Sequence, residues 1–393
     1  MNCKLFFRAF VPSCFRVFKQ QTTDLQAIDP RTTTISYAKS FHKQTLMDIW
    51  KTAFPADSDD FVKFYFEKKY CKENTLLLFK NDEIASCLQM LPYKMTYYKE
   101  HINTAYISGA CTVPAHQNQG LMKNLLVHAF GEMRKRDNLL TTLIPQEPWL
   151  IDFYKKMGYA PCFDYKLTPI CPEYYPVSSS NKTQLKEFEH DDLRATYYLY
   201  KRFFQKQNVR IQKSLFDFSV MVQAFQKFEG KVYVLKDRNN VVGVCFCFIS
   251  DGKIIVKDRV TKNVDYRQCF FLKLTQLFDN QPIFLSSGTT NVSQSFFLGM
   301  ARIVDAEKLM TLFAQAHPQA EFSIKISDEH ILKNNLTLSV SKGEIAETTL
   351  QTVDFEVSIG KLTQLLLGYQ TRILGKKYAV FPQQHPYMSL MLE

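Results

Sequence analysis

At 393 residues the chain is too long for one ordinary hydrophobic core, and its pattern divides it into three domains. A composition of 46% hydrophobic and 22% charged residues, with 33 Phe and 20 Tyr, supplies ample apolar surface for packed units and excludes wholesale disorder. The net charge of +11 comes from Lys and Arg spread along the whole length, with no basic run longer than Arg134-Lys-Arg136. Nucleic-acid binding is therefore not expected, whereas an anionic co-substrate would suit the charge.

Residues 1–30 interleave Lys4, Arg8, Arg16 and Lys19 with aromatics and carry no acid before Asp24. Such a stretch can be a targeting segment or a membrane-surface helix, but Arg8 and Pro12 interrupt the apolar run that a secretory signal needs. It reads as a mobile extension. From about residue 33, helical spacing predicts helices over Tyr37 to Phe54 and Asp57 to Tyr70, so two helices are expected to open the first domain. Three β-rich runs follow in meander fashion: Thr75 to Lys80, Ile84 to Tyr98 and Ala105 to Val113. A helix is expected to start near Asn118, with Leu121, Leu125, Ala129 and Met133 on one stripe. Strand Leu139 to Ile144 stops at Pro145, helix Trp149 to Met157 is ended by Gly158, and strand Tyr159 to Leu167 completes the unit.

The Pro- and Ser-bearing stretch 169–180 reads as a linker. The unit after it combines helices near Asp191 to Gln207, Ser214 to Phe228 and Val264 to Phe278 with strands Lys231 to Leu235, Val241 to Ile249, Lys253 to Val260 and Pro282 to Leu285. From about Arg302 the pattern becomes α+β: helix Ala306 to Ala316, strands Glu321 to Ile326, Leu336 to Ser341 and Asp354 to Val357, helix Gly360 to Leu367, and a basic tail from Arg372 to Glu393. The longest apolar run, Val241 to Ile249, is too short to span a bilayer as a helix and reads as a buried strand. The ten cysteines are scattered, with no Cys-x-x-Cys pair and no His cluster, which predicts a reduced cytoplasmic chain without metal.

The chemistry concentrates in Val113-Pro-Ala-His-Gln-Asn-Gln-Gly-Leu-Met122, a strand-to-helix loop. At a helix N-terminus, unpaired backbone N–H groups and the helix dipole make a site for an anion. Gly120 lets the backbone approach a phosphate, and no Asp or Glu occurs between Glu100 and Glu132. A plain helix start after Pro114 remains the alternative for the loop taken alone. Downstream, Phe153-Tyr-Lys-Lys-Met-Gly-Tyr159 places Tyr154 where it is either a packing aromatic or a proton donor.

Gln117, Gly120 and Met122, in that spacing, resemble the acetyl-CoA loop of the GNAT superfamily of N-acetyltransferases. The last position departs from the usual Gly or Ala, as it does in the multi-domain Eis-type (enhanced intracellular survival) branch. The Tyr154 segment is similar to the Tyr-x-x-x-Gly-Phe/Tyr ending of that domain. The resemblance implies an acetyl-CoA-dependent N-acetyltransferase acting on a primary amine of a small molecule or peptide by direct attack in a ternary complex. It implies Tyr154 as general acid, which a phenol can serve toward a departing thiolate of pKa about 8.5. It implies contacts to the coenzyme from Cys111, Thr112, Val113, Gln117, Asn118, Gln119, Gly120, Leu121 and Met122, with β-type pairing between the pantetheine arm and the strand ending at Val113. Cys111 as an acyl-carrying nucleophile is not expected, since no His stands by to activate it, and His116 reads as a solvated loop residue.

The expected fold class is thus α/β and α+β: tandem GNAT folds, each a mixed and mostly antiparallel sheet flanked by helices, plus a C-terminal domain resembling sterol carrier protein. The boundaries are 31–168 for the catalytic unit, 181–300 for a degenerate second unit and 301–393 for the carrier-like one. The second unit has no glycine after Val260, in Thr261-Lys-Asn-Val-Asp-Tyr-Arg-Gln-Cys269, and so no phosphate loop. The resemblance further implies that the terminal carboxylate of Glu393 returns to the site as general base, and that the chain forms a homo-oligomer, a hexamer in relatives. Protein acetylation, or a lipid- or partner-binding role with an inert first domain, are the competing readings.

Overall fold

The computed structural model describes residues 33–170, 183–250, 252–279, 281–288 and 295–391. The expected extension, most of the linker and Glu393 lie outside the described residues. The first unit opens on a strand, β1 (Thr33–Tyr37), and only then turns helical, in α1 (Lys43–Ala53) and α2 (Asp59–Lys68). This corrects the expected helix from Tyr37. Thr33, Thr34 and Ile35 are β-branched, and β1 pairs antiparallel with β2 (Thr75–Lys80), so Tyr37 ends a strand instead of starting a helix. Then come β3 (Glu83–Tyr97), β4 (Glu100–Thr112), α3 (Leu121–Lys135), β5 (Leu140–Leu143), α4 (Pro148–Lys156) and β6 (Ala160–Ile170). The caps suit the sequence: Ser58 accepts from the Phe61 N–H, with Asp59 and Asp60 in the first turn of α2.

The second unit repeats this order. β7 (Thr183–Glu187) is followed by α5 (Leu193–Phe204), the short β8 (Arg210–Gln212), α6 (Leu215–Ala224), β9 (Lys231–Asp237), β10 (Asn240–Ser250), β11 (Lys253–Thr261), α7 (Val264–Leu277) and β12 (Ile283–Gly288). β7 pairs antiparallel with β9 as β1 does with β2, and β11 runs parallel to β12 as β4 does to β5. β7 and β8 were not expected from sequence, and the apolar run at 241–249 is the buried β10.

The two repeats share one large sheet, ordered β1-β2-β3-β4-β5-β13-β6-β12-β11-β10-β9-β7, in which β13 (Phe296–Ile303) is the last strand of the second repeat. The repeats have exchanged their last strands. β6, from the first, pairs antiparallel with β12 of the second, while β13 pairs antiparallel with both β5 and β6. β13 runs across the boundary expected at 300/301.

Residues beyond β13 build a smaller four-stranded sheet, β16 (Glu344–Glu347), β15 (Thr337–Ser341), β14 (Phe322–Ser327) and β17 (Phe355–Ser358), with α8 (Ala306–Ala316) and α9 (Ile359–Leu366). One apolar core joins this sheet to the large one, through Ile303, Phe313, Ile324, Val357 and Leu362. The tail is packed: the Tyr387 N–H donates to the Val209 carbonyl at 2.9 Å, Ser389 Oγ donates to Asp258 Oδ2 at 2.8 Å, and Met388 is buried. No helix among the described residues is long and apolar enough to cross a membrane.

Candidate active site

β4 is paired with β3 along its whole length, but with β5 only over Thr104–Tyr106 against Leu140–Thr142. β5 then ends at Leu143, and from Ile107 to Thr112 the other edge of β4 has no strand partner among the described residues. An unpaired edge of this kind offers backbone donors and acceptors to an extended ligand. A bulge sits in the same stretch, where the β3–β4 register shifts between Cys87 and Gln89 and Gly109 takes φ 57°. A Cβ there would collide with the Trp50 ring. Tyr65 of α2 braces the bulge, its hydroxyl lying 2.8 Å from Ser108 Oγ and donating to Gln89 Oε1 at 3.3 Å. Nothing in the sequence distinguished Tyr65 and Gln89 from ordinary core residues.

Beyond β4 a single 3-10 turn, Pro114–His116, leads to Gln117 in extended conformation and then to two left-handed residues, Asn118 at φ 60° and Gly120 at φ 74°. Left-handed residues cannot belong to a right-handed helix, which is why α3 starts at Leu121 and not near Asn118. The backbone N–H groups of Asn118, Gln119, Gly120, Leu121, Met122 and Lys123 make no hydrogen bond to another described residue; the next, from Asn124, donates to the Gly120 carbonyl at 3.1 Å. Six consecutive free donors at the positive end of a fifteen-residue helix form an anion cradle. The side chains rim it: Gln117 Nε2 donates to the Thr112 carbonyl at 3.2 Å, and Gln119 accepts from Lys80, which adds a positive charge. Asn118 and Gln117 are exposed, Leu121 is buried in the α3 core, and Met122 is half-buried.

Tyr154 lies in α4 on the α3 face of the sheet, 7% exposed, its ring 5.2 Å from that of Phe153 and 5.6 Å from that of Tyr159. Burial, and after it the neighbouring Cys111, push its phenol above the usual tyrosine range, so the hydroxyl keeps its proton at neutral pH. Its hydroxyl makes no hydrogen bond to a described residue. Tyr154 shares its apolar core with Ala105 and Ile107 of β4, with Ala110 packed at its margin, which places the acid candidate beside the end of that strand.

Cys111 lines a small cavity together with Leu46, Trp50, Phe66, Cys87 and Gln89, on the α1/α2 side of the sheet, with room for about one water-sized group. Its sulfur is 3.4 Å from that of Cys87, and this contact together with burial holds the thiol far above the ordinary cysteine range. A thiol so held is a poor nucleophile. His116 is half-buried in the 3-10 turn.

The equivalent corner of the second repeat is built differently. Asn263 caps α7, accepting from the Tyr266 N–H at 2.9 Å, and no glycine opens the backbone. A side-chain cap there takes one first-turn donor, that of Tyr266, where the first repeat has no side-chain cap at all. Glu393 lies outside the described residues, but the tail leading to it approaches the first site. Met388 packs over Gly299 beside Leu143 and Ile144 at the end of β5, and the Ser389 carbonyl accepts from Lys213 Nζ at 2.8 Å.

Residues 34–162 match the family model of the acetyltransferase (GNAT) domain. The chain therefore carries a GNAT acetyltransferase domain, an enzyme domain, over the stretch that holds both the cradle and Tyr154. No curated protein matches the chain in sequence. Among solved structures, it is similar to Eis1 from Mycobacterium abscessus, with TM-score 0.74 and 14% identity over 91% of this chain and 99% of that one. It is also similar to a GCN5-related N-acetyltransferase from Anabaena variabilis, with TM-score 0.71 and 16% identity over 91% and 98%. A third, a conserved protein of unknown function and probable N-acyltransferase from Enterococcus faecalis, gives TM-score 0.71 and 14% identity over 91% and 100%. At these identities the likeness is one of fold, and it extends over nearly the whole described chain.

Proposed function

We propose that the chain is an acetyl-CoA-dependent N-acetyltransferase that acts on a primary amine of a small molecule or peptide, by direct attack within a ternary complex. The observation that carries this reading is the run of six unpaired N–H groups, Asn118 to Lys123, standing at the end of a β4 edge that is itself unpaired from Ile107. The diphosphate of coenzyme A suits the cradle, and an extended pantetheine arm suits the edge, where a backbone N–H polarises the thioester carbonyl. The acceptor amine attacks as the neutral base and forms the C–N bond, its nitrogen gives up a proton to the general base, the tetrahedral intermediate collapses with breaking of the C–S bond, and the Tyr154 hydroxyl donates its proton to the departing thiolate. The unused donors of Tyr154 and of the cradle, set against the capped counterpart in the second repeat, support one active site per chain.

In this reading residues 31–168 are the catalytic unit, 181–300 a second GNAT unit without a coenzyme site, and 301–393 a unit similar to sterol carrier protein that does not carry lipid. The seating of the tail by Lys213 and Asp258 supports return of the Glu393 carboxylate toward the site as general base. In this reading the enzyme works in the cytoplasm and without metal, and the homo-oligomer is what resemblance to hexameric relatives implies. Titration calorimetry with acetyl-CoA and an acceptor screen followed by thiol release test the proposal. Binding in the micromolar range with turnover on an amine is expected; turnover only on protein lysines or N-termini would shift the reading to protein acetylation. Absence of acetyl-CoA binding at high micromolar concentration would replace it with a lipid- or partner-binding role.

A further inference from the structure

The strand exchange brings Arg302, near the end of β13, beneath the C-terminus of α4. Arg302 is wholly buried, and its Nη1 donates to the Met157 carbonyl at 2.7 Å. The last carbonyls of a helix have no intrahelical partner, so this contact satisfies a group that would otherwise be orphaned. A second arrives from the same side: His330 Nε2 lies 2.8 Å from the Lys156 carbonyl. Gly158 makes room for the guanidinium, since a Cβ at its φ of 81° would collide with Arg302 Nη1. The glycine of the Tyr-x-x-x-Gly-Tyr segment is thus the seat of an arginine supplied from about 150 residues downstream.

Arg302 is fixed in turn. Its Nη2 donates to both carboxylate oxygens of Asp328 at 2.8 Å, and its guanidinium lies 4.3 Å from the centre of the Phe130 ring of α3. Asp328 also accepts from the His330 and Ile331 N–H groups and from Asn334 Nδ2. Burial works against its charge, but Arg302 and Asn334 outweigh it and hold the carboxyl below the usual aspartate range. The planar fork of arginine suits this double duty, which lysine, as a point charge, cannot reproduce.

We propose that Arg302, held by Asp328, is a positioning residue for acyl transfer: it clamps the last turn of α4 and so sets where the Tyr154 hydroxyl stands. The smaller C-terminal sheet, which carries Asp328 and His330, is thereby part of the catalytic apparatus without touching substrate. The inference rests on Tyr154 being the general acid. A misplacement of about 1 Å costs on the order of a hundredfold in rate.

The test is a double-mutant cycle on the full-length protein, following thiol release from acetyl-CoA with an amine acceptor. Arg302→Lys should lower kcat roughly 10- to 100-fold with the KM for acetyl-CoA nearly unchanged. His330→Ala, at an exposed contact that leaves the buried pair intact, should lower kcat a few-fold. Placed on a Tyr154→Phe background, each should cost about twofold or less, because the group it positions is already gone. Full multiplication of the losses on that background would overturn the inference, as would wild-type kcat in both single variants. If Arg302→Lys fails to fold, the cycle with His330→Ala decides alone. Unaltered turnover in Tyr154→Phe itself would instead remove the acid assignment beneath it.

Discussion

Replacing Tyr154 by Phe removes one oxygen and keeps the ring, which makes it the sharpest probe of the proposed chemistry. The phenol hydroxyl makes no hydrogen bond to a described residue, and the ring contacts with Phe153 and Tyr159 survive the change. The folded state should therefore lose within about 1 kcal/mol, visible as an almost unshifted urea midpoint. Catalysis should respond very differently. A positioned general acid contributes about 10²- to 10⁴-fold, or roughly 3–5 kcal/mol of barrier, and the whole of it resides in the removed O–H. Acetyl-CoA affinity, set by the cradle and the β4 edge, should stay within about twofold. The pH profile adds a second signature. Because burial and Cys111 raise the phenol above its ordinary value, its deprotonation should impose no fall in wild-type kcat through neutral and mildly alkaline pH. The assay is steady-state thiol release from about pH 6 to about pH 10, a range that brackets the reference thiol and phenol values, paired with calorimetry on both proteins. Full turnover in the variant, or a loss accounted for entirely by weaker acetyl-CoA binding, would refute the assignment.

Asn118→Asp places a carboxylate among the free N–H groups; with about 1 kcal/mol of repulsion against a diphosphate, calorimetry should show acetyl-CoA binding weakened roughly fivefold. Wild-type affinity should itself fall as salt rises, since the cradle is partly exposed. Gly109→Ala forces a side chain into a left-handed position and against Trp50, which should destabilise by roughly 2–5 kcal/mol in urea unfolding. Lys213 is buried, and desolvation lowers its amine to about 8 from an ordinary 10.5. The unfolded chain then binds this proton more tightly than the folded one, so stability should rise as pH climbs between about 8 and 10.5, by up to roughly 3 kcal/mol. Unfolding of Lys213→Met, measured across the same range, should lack that rise.

The strand-to-helix loop was legible because its chemistry is local: Pro114, Gly120 and the apolar stripe of α3 lie within one short stretch and fix a turn, a left-handed residue and a helix. Tyr154 and Gly158 were legible for the same reason. The meander β2–β3–β4 also followed from its own alternation and turns, with ends displaced by a few residues. β1 was not, because its five residues adjoin a helical pattern and only pairing with β2 makes them a strand. Nor could sequence place β13, whose partners at Leu140–Leu143 lie some 160 positions earlier. The free edge of β4 was expected only by resemblance, since where β5 stops pairing is a property of two strands and not of either alone. Arg302 read as the start of a new unit; its role depends on Met157 and Asp328, neither of which is near it in the chain.

The exchange of final strands bears on how such a chain comes to be assembled. A ribosome that has delivered residues up to β6 has made the cradle and Tyr154, yet the sheet of the first repeat still ends in the bare edge of β5, because the strand that covers it has not been translated. Until β13 arrives, that edge is a template for pairing with a neighbouring chain. The late segment thus acts as an intramolecular seal. Truncations that keep the whole acetyltransferase stretch but stop before Phe296 should be recovered as aggregates, and supplying the missing strand in trans should restore some of them to solution.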